Sequence, residues 1–132
     1  MRTIEVLLID ESSADAMLFR QAFHDLPVPV HLHIARDGAQ ALLMLSDPPF
    51  QLDLIFLNLN IPKNTGTALL EKGHVWATPT IVFSSTASPA EKERCLTLGA
   101  REFVSKPKHF EEFSEMVRRI IERWAPQGRS VP

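Results

Sequence analysis

The chain has 132 residues, of which 45% are hydrophobic and 23% charged, and its formal net charge is −2. This length suits one globular domain of average composition, and the charge balance argues against a nucleic-acid binder. A single cysteine excludes an internal disulfide and a zinc site built on several cysteines. Because the apolar runs are too short to span a bilayer, we expect a cytoplasmic domain without membrane contacts.

The first half of the chain alternates apolar runs with helical patterns. Residues 4–9 are a branched apolar run that is typical of a strand buried on both faces. Ser12 and Asp15 match a helix-capping pattern, and apolar residues at helical spacing follow them. Residues 30–35 predict a second strand near a sheet edge, and residues 39–45 predict a second helix. This half therefore predicts two strand–helix units.

The second half continues the alternation. Three further apolar runs predict strands, at residues 54–57, 80–83 and 102–104. A serine followed by a proline and a glutamate indicates a helix start near residue 88. The predicted helices are residues 67–72, 88–98 and 110–124, and the first of these is unusually short.

Five strands alternating with five helices predict a parallel sheet covered on both faces, which is a doubly wound α/β fold. Ligands of such folds bind at the carboxyl ends of the strands. Two carboxylates and a lysine in one pocket are typical of a site for a hard cation and an anionic group. Each residue alone also has a simpler explanation, such as a helix cap or a solvated loop. The polar side chains at these strand ends are Asp10, Glu11, Asn58, Ser84, Ser85 and Lys106.

Four segments resemble, in order, the receiver domain of bacterial two-component response regulators, the CheY-like family. The segments are VLLIDESSADAMLFRQAF, DLIFLNLNIPKNTG, PTIVFSSTAS and LGAREFVSKP. The third-strand loop and the first helix are most similar to single-domain receivers paired with phytochrome-type kinases. The resemblance implies a flavodoxin-like sheet of strand order 2-1-3-4-5. This chain departs from the family in its third helix, which is about one turn shorter than usual. The resemblance also implies a receiver domain over residues 1–124 and a flexible tail over residues 125–132.

In the family, an aspartate at the end of the third strand accepts a phosphoryl group from a kinase histidine, beside a magnesium ion. Asp10, Glu11 and the backbone carbonyl of Asn60 match the magnesium-binding positions. The phosphoacceptor position holds Asn58. A carboxamide is uncharged and its lone pair is delocalised, so we expect no attack on a phosphoryl donor. The lost negative charge should also weaken magnesium binding, and we expect no resident cofactor.

The resemblance also assigns roles to residues of the fourth and fifth strands and of the segment that follows them. Ser84 and Lys106 match residues that bind the phosphoryl oxygens, and Phe103 matches an aromatic residue that switches with Ser84 on activation. Pro107 matches a proline that usually follows a cis peptide bond. In receivers, the face of the fourth helix, fifth strand and last helix commonly carries dimerisation and partner binding. Phe103 and His109 would contribute to that face here.

These observations predict a pseudo-receiver that is not an enzyme and that acts by protein–protein contact. Its expected partners are a sensor histidine kinase, another signalling protein or a second copy of itself. One alternative is a phosphorelay receiver that accepts phosphate at Ser84, Ser85 or Thr86. Another is a flavodoxin-like small-molecule binder or enzyme, against which the missing glycine-rich phosphate loop argues.

Several residues outside this pattern have two interpretations. His31 and His33 place two imidazoles on one strand face, which suits a metal ion or, more simply, a solvated sheet edge. Asp53 is the acid nearest the third strand, but it precedes that strand and would lie roughly 13 Å from the pocket. We predict that Cys95 is packed and inert. Trp76 lies in the shortened segment, which is either a tolerated deletion or a remodelled partner-binding face.

Overall fold

We describe residues 3–46, 51–59, 69–71, 78–86 and 88–125 of a computed structural model. Within these residues, five strands form one parallel sheet in the order β2-β1-β3-β4-β5, which confirms the predicted fold. The strands are β1 (Ile4–Ile9), β2 (Val30–Ala35), β3 (Leu54–Asn58), β4 (Thr80–Ser84) and β5 (Glu102–Ser105).

Helices cover both faces of this sheet. The helices with full bounds in the described residues are α1 (Ser13–His24), α2 (Gly38–Ser46), α3 (Pro89–Thr97) and α4 (Phe110–Trp124). The short helix predicted at residues 67–72 lies mostly outside the described residues, of which 69–71 are helical. The predicted fourth and last helices are therefore α3 and α4 here.

The helix ends follow from local chemistry. The Oγ atom of Ser12 accepts a hydrogen bond from the backbone N–H of Asp15 at the start of α1. At the start of α3, Ser88 and Glu91 form the complete reciprocal capping box that the sequence predicts. Gly99 follows α3 with a φ of 121°, a conformation that a side chain would disfavour. These signals place both helices correctly.

The core consists of two apolar clusters, one on each face of the sheet. Phe19 of α1 lies at the centre of the first, with ring centroids 4.9 Å from those of Phe56 and Phe113. The second cluster includes Leu7, Leu57 and Cys95. Because β1, β3 and β4 are apolar on both faces, they occupy the middle of the sheet and bury nearly every side chain. The partly exposed β2 forms one edge, as predicted.

The end of the packed body differs slightly from the sequence prediction. Ala125, which the sequence places in the tail, is buried against the first core cluster. The remainder of the predicted tail, residues 126–132, lies outside the described residues. No helix among the described residues is long and apolar enough to cross a membrane.

Candidate functional site

The carboxyl ends of neighbouring strands bring the predicted polar residues to one edge of the sheet. Asp10 directly follows β1, Asn58 ends β3 and Ser84 ends β4, while Lys106 directly follows β5. Since β1, β3, β4 and β5 are adjacent and parallel, their ends form one pocket, which we call the strand-end pocket. Asp10 and Ser84 are buried there, whereas Asn58 and Lys106 are partly exposed.

Asp10 is the most deeply buried carboxylate of the pocket, with 2% of its surface exposed. Its Oδ1 atom accepts hydrogen bonds from the backbone N–H of Ser12 at 2.9 Å and from Nδ2 of Asn58 at 3.0 Å. Its Oδ2 atom is buried and accepts no hydrogen bond from a described residue. Burial, followed by the neighbouring Asp15 carboxyl, raises the pKa of Asp10 to about 6. A charged Asp10 is therefore costly to keep in the folded protein.

Lys106 forms an ion pair with Asp15, a residue whose sequence pattern predicts only a helix cap. Asp15 is 5% exposed. Its carboxylate does not close a capping box, because the backbone N–H of Ser12 already donates to Asp10. The anion that pairs with Lys106 therefore lies on the first turn of α1.

A signal for Asp15 was present in the sequence. Asp15, Phe19 and Ala22 are spaced as i, i+4 and i+7, and all three are buried on one face of α1. An aspartate on the apolar stripe of a helix needs a cationic partner or a hydrogen-bond donor. The sequence around Asp15 does not identify its partner, because Lys106 lies 91 residues away along the chain.

The other predicted site residues lie around this centre. Glu11 is exposed, because it follows the strand as the chain turns toward solvent, and Asn60 lies outside the described residues. The Oγ atom of Ser84 accepts a hydrogen bond from the backbone N–H of Thr86 at 3.2 Å. Ser85 and Thr86 are both exposed. The end of β4 is therefore held by local hydrogen bonding.

The residues of the proposed contact face lie away from the pocket centre. Phe103 is partly buried and packs against the second core cluster, and His109 is exposed at the start of α4. The Lys106–Pro107 peptide bond is trans, as are the other described peptide bonds, whereas the resemblance implies a cis bond at this position. The trans form is the one that peptide bonds before proline generally favour.

The pocket offers a divalent cation few free oxygen ligands among the described residues. Hard cations such as Mg²⁺ prefer several anionic oxygens. Asp10 presents a buried oxygen without a hydrogen bond and Glu11 is nearby, but Asn58 directs an N–H donor at Asp10 and Asp15 is paired with Lys106. The described residues therefore supply only part of the set of oxygen ligands that such a cation prefers.

Four of the five residues discussed outside the pocket lie among the described residues. Asp53 precedes β3 at the opposite end of the sheet, where it accepts a hydrogen bond from the backbone N–H of Glu5 at 2.8 Å. Cys95 is buried, and burial raises the pKa of its thiol, which agrees with a packed residue. His31 and His33 lie on β2, and Trp76 is outside the described residues.

Comparison with known proteins identifies the family of this chain. The family model for the response regulator receiver domain matches residues 6–118. The transcriptional regulatory protein CpxR of Klebsiella pneumoniae is 29% identical over 129 residues, which cover 96% of this chain. The chain spans 53% of the length of that regulator.

Two solved structures share the fold. The phosphorylated cyanobacterial phytochrome response regulator RcpA has a TM-score of 0.83 at 23% identity, covering 93% of this chain and 94% of its own. The Mn²⁺-bound response regulator Rcp1 has a TM-score of 0.80 at 22% identity, covering 94% of this chain and 96% of its own. Together with the family match and the strand-end pocket, these similarities establish that the chain belongs to the response regulator receiver domain family.

Proposed function

We propose that this receiver is a pseudo-receiver: it does not take up a phosphoryl group at the usual position and signals through protein contacts. Receiver domains of two-component systems interact with histidine kinases and bind Mg²⁺ or Mn²⁺ at an acidic site. The observation that carries the proposal concerns Asn58, the last residue of β3, whose side-chain amide donates a hydrogen bond to Asp10.

The chemistry of the amide supports the proposal. Formation of an acyl phosphate requires a carboxylate oxygen as the nucleophile, and Asn58 offers a neutral carboxamide. Its N–H group satisfies Oδ1 of Asp10, which a metal ion would otherwise neutralise. We infer that Mg²⁺ binds this pocket weakly, through Asp10 and Glu11, and that the backbone carbonyl of Asn60 completes the set.

The position of the lysine is also consistent with a pocket that works without phosphate. In our proposal, Lys106 and Ser84 are the phosphate-binding positions of an ancestral receiver. Lys106 is paired here with Asp15, so the charge of this lysine is compensated without an anionic ligand. The domain therefore does not need phosphorylation to compensate the charge of this partly exposed lysine.

A domain without phosphoryl chemistry must act through its surface. We propose that the partner-binding face consists of α3, β5 and α4, with Phe103 and His109 as contributors. The partner is a sensor histidine kinase or another signalling protein, or a second copy of this chain. Phe103 is partly buried and His109 is exposed, so the first can couple the core to the surface and the second can contact a partner directly.

The test compares the natural protein with Asn58→Asp. Each is incubated with Mg²⁺ and acetyl phosphate, and the intact mass is measured. We expect no adduct on the natural protein and one phosphoryl group on Asn58→Asp, with Asn58→Ala as the unreactive control. A stoichiometric adduct on the natural protein that is stable in acid and labile in base would contradict the proposal.

The alternative acceptor is a hydroxyl group at the end of β4. Ser85 and Thr86 are exposed there, beside the buried Ser84. The same mass measurement distinguishes this function, because a phosphate ester on serine or threonine survives conditions that hydrolyse an acyl phosphate. Localisation of such an ester to one of these residues after incubation with a kinase would favour the alternative.

A further inference from the structure

We propose that Glu5, His31 and His33 bind a divalent transition metal ion of the zinc class at the outer edge of the sheet. The site is independent of the strand-end pocket and of the pseudo-receiver proposal. Glu5 lies near the start of β1, and Asp10 follows the end of the same strand. Five residues of extended strand separate the two sites by about 16 Å.

Strand register brings the three side chains together. β1 and β2 are parallel, with Glu5 opposite His31 and Leu7 opposite His33. Because alternate residues of a strand share a face, Glu5, His31 and His33 project from the same side of the sheet. Pairing shifted by one residue would separate the carboxylate from both imidazoles. The cluster is thus a product of the β1–β2 register.

One carboxylate oxygen lies against both imidazoles. The Oε1 atom of Glu5 is 2.7 Å from Nε2 of His33 and 3.2 Å from Nδ1 of His31. The two imidazole rings are close, with centroids 4.2 Å apart. One ligand atom from each residue lies within 4.8 Å of the others. The three potential ligand atoms therefore lie close enough together to bind a single metal ion.

These distances suit a tetrahedral ion after a small adjustment. Zinc binds histidine nitrogen and carboxylate oxygen at about 2.0–2.2 Å, which places neighbouring ligand atoms of a tetrahedron about 3.4 Å apart. The pair of Glu5 and His31 is already near that separation, and the pair of Glu5 and His33 must widen by less than 1 Å. A rotation of side chains on a fixed backbone can supply this change.

The surroundings hold the site and leave it accessible. The backbone N–H of Glu5 donates to Oδ2 of Asp53, and the backbone N–H of Asp53 donates to the carbonyl of Glu5, both at 2.8 Å. The side chain of His33 is 14% exposed and that of Glu5 is 23% exposed, while that of His31 is 62% exposed. An ion can therefore enter from solvent, with water as its fourth ligand.

The donor set selects the class of metal. Two imidazole nitrogens with one carboxylate favour Zn²⁺, Ni²⁺, Co²⁺ or Cu²⁺, whereas Mg²⁺ favours oxygen ligands. Without a metal ion, one carboxylate oxygen of Glu5 contacts both imidazole rings. A bound metal ion would instead bond to the carboxylate and to both rings at once. Mg²⁺ is accordingly a suitable competitor for distinguishing this site from the strand-end pocket.

The experiment is calorimetric titration of the metal-stripped full chain with Zn²⁺ in the presence of excess Mg²⁺. We expect one ion per chain, with affinity reduced about tenfold or more in His33→Gln and in Glu5→Gln, because loss of a ligand should cost at least as much as loss of an outer-shell partner. His109→Gln is the matched control, because His109 is an exposed histidine beyond β5, at the opposite edge of the sheet from β2. Circular dichroism verifies that each variant is folded.

A second measurement uses Co²⁺ as a spectroscopic probe. We expect a visible absorption spectrum typical of tetrahedral nitrogen and oxygen ligation in the natural protein and in His109→Gln, and its loss in folded His33→Gln. Absence of stoichiometric Zn²⁺ binding, or equal binding by the natural protein and His33→Gln, would overturn the proposal. An equal loss of affinity in His109→Gln would also overturn it, since it would indicate nonspecific binding to surface histidines.

Discussion

The amide Nδ2 of Asn58 donates a hydrogen bond to Oδ1 of Asp10 over 3.0 Å, which joins the ends of the adjacent strands β3 and β1. A carboxylate only accepts hydrogen bonds, so the amide must present its nitrogen. The contact therefore places a neutral donor where the receiver family uses an anionic nucleophile, and it determines the electrostatics of the pocket.

Replacement of Asn58 by aspartate is expected to lower stability in metal-free buffer. The substitution removes the hydrogen bond to Asp10 and adds a like charge beside it, which should cost about 1–3 kcal/mol in the free energy of unfolding. Urea unfolding with EDTA measures the loss, and Asn58→Ala isolates the part due to the hydrogen bond. Added Mg²⁺ should restore stability to Asn58→Asp far more than to the natural protein. Equal stabilisation of both would contradict the proposed weakening of the metal site.

The raised pKa of Asp10 predicts a specific pH dependence. Burial and the Asp15 carboxyl raise the pKa of Asp10 from 3.8 to about 6 in the folded protein. Folding therefore favours the protonated form, and this contribution to stability is complete below about pH 3.8 and lost as the pH rises through about 6. Asp10→Asn should stabilise the protein at pH 7 by about 1–3 kcal/mol, with a smaller effect at pH 4.

Unfolding of Asp10→Asn and of the natural protein is compared from pH 4 to 8 in EDTA. Glu93→Gln on the exposed side of α3 is the control, and its difference from the natural protein should not follow the same profile. A stability difference for Asp10→Asn that is constant over this range would exclude Asp10 as the titrating group.

Loss of Lys106 should lower the free energy of unfolding, because it removes the cationic partner of a buried carboxylate. Lys106→Met leaves Asp15 without its cationic partner, and we expect a loss of about 1–3 kcal/mol at pH 7 because the pair is partly shielded from solvent. The double variant Lys106→Met/Asp15→Asn should recover much of this loss. Lys108→Met, at an exposed neighbouring position, is the matched control. Additive effects of the two substitutions would show that the ion pair is unimportant.

Glu102 is expected to hold β5 against the last helix. Its carboxylate accepts hydrogen bonds from Nε1 of Trp124 at 2.6 Å and from Nη1 of Arg119 at 2.9 Å. Burial alone would raise the pKa of Glu102, but these donors and Arg123 lower it. The stabilisation is therefore present above the pKa of the unfolded chain and lost as the pH falls through the folded value.

Glu102→Gln should accordingly destabilise the protein by about 1 kcal/mol at pH 7 and increase hydrogen exchange in the last turn of α4. Glu115→Gln is the comparison, because Glu115 pairs with Arg118 on the same helix but is exposed to solvent. We expect little effect there. If both variants increased exchange equally, the contact with Glu102 would not be what holds this end of the helix.

Much of the fold was predictable because its signals are local. The capping box of Ser88 and Glu91 lies within four residues, and the apolar run of β1 indicates a central strand without reference to any partner. The resemblance to receivers added the strand order, and the structure has that order. Asp10, Asn58, Ser84 and Lys106 could be placed at one edge because parallel strands end together.

The sequence by itself determined the strand–helix alternation, the central position of the apolar strands and the amide at the end of β3. Only the tertiary structure decided that Lys106 pairs with Asp15 and that Glu5 contacts both His31 and His33. These contacts depend on how α1 is seated over the sheet and on the register of β1 against β2. Such relationships join residues far apart in the chain, and periodicity within a single segment carries no information about them.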